Sequence, residues 1–225
     1  MPPTSRQRST RDRPAKAPLS EDAVVDTALA LLQSEGMAAV TMRRVATELD
    51  TGPSSLYVYV SNREALIQAM QERVFASVDL ETPDPARWRE QLHALLARMH
   101  QALIAHPGIA ATVVAEAPAT EATLTYTENL LGILLAAGLE PQEAAWATDI
   151  FAILVTHAAV EADARHSDSQ GQADAGYKAF TSLPPERFPL VTTYASELVA
   201  GDTEQRFRVA IDVVIDGLLA RAARS

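Results

Sequence analysis

The stretch TGPSSLYVYVSNREAL, Thr51 to Leu66, starts a helix on a glycine turn and gives it two serines and two tyrosines. Pro53 falls at the first helical position, where its missing N–H costs nothing. Leu56 and Val60, at i and i+4, form an inward edge too narrow to make a core alone. The polar and aromatic side chains around them therefore need another partner. Ser61-Asn62-Arg63-Glu64 then reads as a capping box opening a fourth helix, with Leu66, Met70 and Val74 inward.

Towards the N-terminus the same grammar continues. Ser20 is an N-cap candidate with Glu21 and Asp22 behind it, where carboxylates favour the positive end of the helix dipole. Val24, Ala28, Leu31 and Leu32 make one apolar face, and Gly36 supplies a stop. Thr41 caps a second short helix with Met42, Val45, Ala46 and Leu49 inward and Arg43, Arg44, Thr47 and Glu48 outward. Three short helices with a glycine-containing turn before the third have the pattern of a helix-turn-helix, whose last helix presents its N-terminal residues to the major groove. In that reading the hydroxyls of Ser54, Ser55, Tyr57 and Tyr59 reach phosphates or base edges, Val58 meets a thymine methyl, and Arg43 and Arg44 of the second helix are DNA-contact candidates. The alternative is an ordinary three-helix subdomain with surface tyrosines.

The chain carries a net charge of -10, yet residues 1–63 hold 8 basic against 7 acidic side chains and residues 64–225 hold 11 against 22. The acidic excess lies in the second part, so a polyanion can still approach the first. Residues 1–17, proline-rich with Arg6, Arg8, Arg11, Arg13 and Lys16, are expected to be a disordered basic arm: a solubilising tail, or a reach to DNA phosphates. Proline at this density argues against a transit peptide. Hydrophobic residues make up 48% of the 225, enough for a sizeable core, and no cysteine is present, which excludes thiol chemistry and agrees with a reducing compartment. No apolar run reaches the length of a membrane span, so a cytoplasmic location with no membrane partner is expected.

The run VTMRRVATELDTGPSSLYVYVSNREAL resembles the DNA-binding domain of the tetracycline-repressor (TetR) family of bacterial regulators. The resemblance implies phosphate contacts from Thr41 and Tyr59, a guanine contact from Arg43, a groove lined by Pro53 to Tyr57, and a DNA-backbone contact from Arg63, where the family usually has lysine. Asp50 stands where the family usually has glycine. Aspartate tolerates a left-handed conformation better than most residues, so the same turn is expected with slight strain. WREQLHALLARMHQALIAHPG and RFRVAIDVVIDGLLARA resemble the ligand-binding and dimerisation domain of the branch nearest the tetracycline repressor. The fold expected is all-α, about nine to ten helices, with residues 18–78 as the DNA-binding domain including its connecting helix and 79–225 as the ligand-binding and dimerisation domain.

From Ala144 to Val160 only Thr148, Asp149, Thr156 and His157 are polar, and from Phe207 to Leu219 only Arg208, Asp212 and Asp216. Helices apolar around most of their circumference need cover on several sides, and a homodimeric four-helix bundle supplies it. Phe151, Val155 and Ala158 of the first and Ile211, Val214, Gly217 and Leu218 of the second are the expected dimer contacts. The ligand pocket is expected among polar groups that recur in apolar helices: His93, Met99, His100, Thr125, Asn129, Asp149, Phe151, Thr156 and His157. Each has a core alternative. His157 and Glu161, four apart, have a spacing that could hold a metal, but no metal or other cofactor is expected. Where the family's branch has a magnesium-binding histidine this chain has Val113, which disfavours a tetracycline–magnesium ligand. No nucleophile triad or phosphate loop is discernible, so no enzyme activity is expected. The function implied is a repressor that binds a near-palindromic operator as a homodimer and is released by a small, mostly apolar effector. The alternatives are a helical small-molecule binding protein without DNA recognition and an all-α enzyme.

Overall fold

Ser20 ends the extended lead-in by accepting the Ala23 N–H at 3.1 Å, and α1 (Glu21–Glu35) follows. The computed structural model describes residues 18–115, 120–165 and 169–222; the basic arm lies outside them. Gly36, at φ 81°, stops α1 by donating its N–H to Leu32 and leads into a 3₁₀ turn, Met37–Ala39. Thr41 caps α2 (Met42–Glu48), and Asp50 takes the left-handed conformation expected of it, at φ 49°. One α-turn forms α3 (Pro53–Leu56), shorter than the two turns expected, and a further turn carries the chain to Val60. The cap of α4 (Arg63–Ala76) is Asn62, not Ser61, with Oδ1 2.7 Å from the Ala65 N–H.

The second part runs α5 (Trp88–Ile104), α6 (Ile109–Ala115), α7 (Glu121–Ala136), α8 (Pro141–Arg165), α9 (Ser169–Thr181), α10 (Pro189–Thr193), α11 (Ala195–Val199) and α12 (Thr203–Ala222). Twelve α-helices among the described residues exceed the nine to ten expected, because α10 and α11 are five-residue pieces too short to leave a periodic signature. Residues 169–176, polar and with two glycines, are helical, since α9 begins at Ser169.

Helix α8 is the axis of the second part, with α5, α6, α7 and α12 packed around it. Its segment Pro141–Ala162 is by length and composition apolar enough to cross a bilayer, which short windows of the sequence did not reveal. Helices α9 to α11 pack chiefly on one another and leave Leu190, Tyr194 and Leu198 exposed. The boundary expected at residue 78 is not a gap in packing. One continuous apolar core runs from Val24 and Leu32, through Leu66, Met70 and Val74, to Leu96, Phe151 and Ile215. The linker is also seated: a Cβ on Gly132 of α7 would come within 2.9 Å of Pro83, so only glycine admits that approach.

Candidate nucleic-acid interface and ligand cavity

Helices α2 and α3 present one polar surface. Thr41 Oγ1 accepts the Arg44 N–H at 3.1 Å to cap α2, which leaves its own hydroxyl proton to donate outward. The Arg43 guanidinium is exposed and makes no ion pair or hydrogen bond among the described residues. Pro53 and Ser54 are exposed and Ser55 is half-buried, while Tyr57 is 54% and Val58 81% exposed. Burying Leu56 and Val60 sends Tyr57 and Val58 outward, while Tyr59 is half-buried against the core. Large apolar surface left in water directly after a one-turn helix calls for a partner.

Three of the expected DNA-binding residues are already engaged. Arg44 donates to Glu35 at 2.5 Å and to Glu48 at 2.8 Å, tying the end of α1 to α2. Glu35 first and Glu48 second raise the Arg44 pKa, and the same contact lowers that of Glu35. A phosphate would have to compete with two carboxylates, so Arg44 reads as a structural clamp. Arg63 donates through Nε to the Val40 carbonyl at 2.9 Å and through Nη2 to Met37 at 3.3 Å, holding the entry to α2 against the start of α4. Its remaining N–H groups are what a DNA backbone could meet. The Tyr59 hydroxyl donates its one proton to the Leu19 carbonyl at 2.7 Å, so it has no second proton for a phosphate. These partners are 40, 26 and 9 residues away in sequence, beyond any periodicity argument.

A cavity of about 430 Å³ lies between α4, α5, α7 and α8. Its apolar wall includes Phe75, Met99, Leu103 and Leu130, and its polar groups include Gln71, Tyr126, Thr148, Asp149 and Thr156. Of the residues expected there, Met99, Asp149 and Thr156 line it. Thr125 is exposed and its hydroxyl donates back to the Glu121 carbonyl. Asn129 donates to the Glu81 carbonyl at 2.8 Å, tying the linker to α7. Phe151 is fully buried core and His157 faces outward from α8. His93 and His100 line a different cleft, between α5 and α12.

The sequence reading missed Tyr126 and Gln71. On α7 the inward face is Thr123, Tyr126, Leu130 and Ile133, so Thr125 and Asn129 sit away from the cavity. A tyrosine in phase with Leu130 was the available signal. Burial raises the Tyr126 pKa and keeps it a neutral phenol. Gln71 lies beside Met70 and Val74 on the buried face of α4, and its Nε2 donates to Thr112 on α6 at 3.0 Å. Val113 also lines the cavity, where the resemblance would place a magnesium ligand. Among the described residues no group of three or more acidic or histidine side chains could hold a metal.

Six of the seven expected dimer contacts are buried or half-buried, and Gly217 is exposed. Phe151, Val155, Ala158 and Ile211 are core residues at 0–7% exposure, and Val214 and Leu218 are half-buried. Trp146, Ile150, Ile153 and Val160 point outward from α8, and Val209 and Val213 from α12, in line with exposed Gly217, whose added Cβ would meet nothing within 4 Å. Core packing decides which side of an all-apolar helix turns inward, and the leftover stripe is the surface in need of cover.

The chain matches two family models: bacterial regulatory proteins, tetR family, over residues 24–70, and tetracyclin repressor-like, C-terminal domain, over residues 82–222. The structure of the TetR family protein ActR from Streptomyces coelicolor, without ligand, is similar at a TM-score of 0.85 and 33% identity, covering 93% of this chain and 99% of that one. ActR is also known in complex with actinorhodin, similar at the same TM-score and identity over 92% and 99%. An HTH-type transcriptional regulator of Saccharopolyspora erythraea is 24% identical over 217 residues, 96% of this chain and 90% of that one. The class C tetracycline repressor protein of Escherichia coli is 26% identical over 202 residues, 89% and 90% of the two chains.

Proposed function

The chain belongs to the tetR family of bacterial regulatory proteins, and we propose that it is a cytoplasmic homodimeric repressor of a near-palindromic operator, released when a small, mostly apolar molecule fills the α4–α5–α7–α8 cavity. The observation that carries this is helix α4. Its first residue, Arg63, braces the reading head, and its last turns, through Gln71 and Phe75, form a wall of the cavity. A ligand that moves α4 moves the head.

Two more contacts support the coupling. Gly108, at φ 90° in the corner between α5 and α6, lies so close to the head that a Cβ there would be 3.3 Å from Met37. Gln33 of α1 donates to the Ala105 carbonyl at 3.2 Å. A ligand that displaced Gln71 from Thr112 would shift α6 against α4 and both against the head. A dimer must place two recognition helices about 34–36 Å apart to meet successive major grooves, so a small tilt spoils the fit. The ligand then weakens DNA binding by the ratio of its affinities for the two arrangements, and DNA weakens the ligand reciprocally.

The DNA-binding domain, residues 18–78, is the reading head together with its connecting helix α4, and the head supplies Arg43, Tyr57, Val58 and Thr41 to the DNA. The stripes of α8 and α12 supply the dimer. The cavity offers one carboxylate, Asp149, and otherwise hydroxyls, an amide and apolar side chains, which suits an apolar or aromatic molecule oriented by a few hydrogen bonds. Complexes of ActR with actinorhodin and (S)-DNPA support an effector of the small-molecule class.

The test is selection of bound fragments from genomic DNA, followed by titration with the best sequence. A palindromic site bound by two chains, with sedimentation giving a dimer, supports the reading. Binding with no sequence preference would leave a helical small-molecule binding protein instead.

A further inference from the structure

The cleft that holds His93 and His100 shares no lining residue with the cavity assigned to the effector. It lies on the other flank of α5, closed by the first half of α12, and has a volume of about 310 Å³. Its floor is apolar: Ala94, Ala97, Phe207 and Ile211.

His100 is 5% exposed and its ring stacks on Phe207 with centroids 4.7 Å apart. Its Nε2 is buried without a hydrogen-bond partner in the chain. Burial favours the neutral ring, which, when its one proton sits on Nδ1, presents a lone pair at Nε2. A buried acceptor left unsatisfied is costly, and one lining a cleft asks for a donor from outside the chain.

The rim carries two charges. Glu204 and Arg208 are four apart on α12, a spacing at which they could pair, yet neither makes an ion pair or hydrogen bond among the described residues. Both are exposed, and both also line the adjoining cleft of about 370 Å³ that continues along α12. Glu90, the other carboxylate of the rim, is held by Arg87. Asp212 is held by His93 and Arg89. One free anion, one free cation one helical turn away, an apolar floor and a single buried acceptor form a set of complementary requirements.

We propose that the cleft between α5 and α12 is a second small-molecule site, built for a zwitterion of the amino-acid type whose apolar side chain ends in a hydrogen-bond donor. The ammonium meets Glu204, the carboxylate meets Arg208 as a charge-assisted pair, and the side chain lies on Phe207 and Ile211 with its donor on Nε2 of His100. A volume of about 300 Å³ suits a ligand at the small end of the usual range.

L-tryptophan is the probe, since its indole N–H is such a donor. L-phenylalanine lacks that donor, tryptamine lacks the carboxylate and indole-3-propionate lacks the ammonium. The full chain is titrated with each while the His100 side-chain nitrogens are followed by NMR. Tryptophan should shift Nε2 of His100 saturably and bind about tenfold tighter than each of the three analogues. Glu204→Gln should erase its advantage over indole-3-propionate, Arg208→Gln its advantage over tryptamine, and His100→Phe, which keeps the stack, its advantage over phenylalanine. Glu204 and Arg208 lie on the surface and His100→Phe keeps the buried stack, and thermal melts check that each variant still folds. Absence of a saturable shift overturns the proposal, as does tryptophan binding that none of the three variants weakens. Operator binding in the same preparations is read separately, so failure here leaves the repressor reading untouched.

Discussion

The reading head and the α8–α12 pair are built from opposite kinds of sequence. In the head, caps and turns fix each short helix: Ser20, Thr41 and Asn62 satisfy N-terminal N–H groups, and Gly36 and Asp50 take positive φ. A helix pinned at its ends has its facing pinned too. In α8, 25 residues long, and α12, 20 residues long, apolar side chains occupy most of the circumference. Nothing local sets their rotation, so neighbours choose the buried side. Short capped helices therefore disclose which residues point out, and long apolar ones disclose only that a partner is needed.

The sharpest way to break this comparison is to exchange an inward for an outward residue on α8. Phe151→Ala should cost about 3–5 kcal/mol of unfolding free energy, read from urea titration, because it empties a fully packed site. Ile153→Glu, two residues on, 67% exposed and also at the edge of the effector cavity, should leave the fold intact but give monomers in sedimentation and lose operator binding. A dimeric Ile153→Glu together with a mild Phe151→Ala would reverse the register assigned to α8.

Within the head, the neighbours Arg43 and Arg44 make the next contrast. Arg43→Ala should lower operator affinity by about 1–3 kcal/mol and relax preference at one base pair per half-site. Arg44→Ala should change affinity by no more than about twofold, because two carboxylates already hold that guanidinium. Equal losses in a fluorescence titration would mean that Arg44 leaves its clamp for DNA.

A third contrast joins the two regions. Gln71→Leu removes the hydrogen bond to Thr112 but keeps the buried volume of α4, so operator binding should persist while the effector concentration needed for release shifts several-fold. An unchanged release curve would move the coupling from Gln71 to the Gly108–Met37 corner.

The smallest effect is on pH. Burial holds the His100 pKa below its ordinary 6.5, against the opposing pull of the Ala158 backbone and Glu204. In the window between the unfolded value and this lower one the unfolded chain binds more protons. His100 therefore contributes stability that is complete above about pH 6.5 and is lost as pH falls through its folded pKa. Asp212, lowered chiefly by its hydrogen bond from His93, loses its contribution only in the more acidic carboxylate range. Urea midpoints between pH 7.5 and 5.5 should fall, and His100→Phe should flatten that slope. A slope unchanged in the variant would assign it to other groups.

Sequence by itself determined the all-α class, the helix-turn-helix, the left-handed Asp50 and the need for cover over two apolar helices. The left-handed Asp50 follows from the family resemblance, and the others from local chemistry: a cap, a turn signal, a period of 3.6. Tertiary structure decided which polar side chains are spent on the fold itself. Arg44 is clamped by Glu35, Tyr59 caps Leu19, Arg63 braces Met37 and Val40, and Asn129 holds the linker. It also separated Met99 and Thr156 from His93 and His100, putting them in two cavities on the two flanks of α5. The physical reason is range. A hydrogen bond between residues 40 or 48 apart leaves no trace in periodicity, and the rotation of a long apolar helix is an outcome of packing against its neighbours.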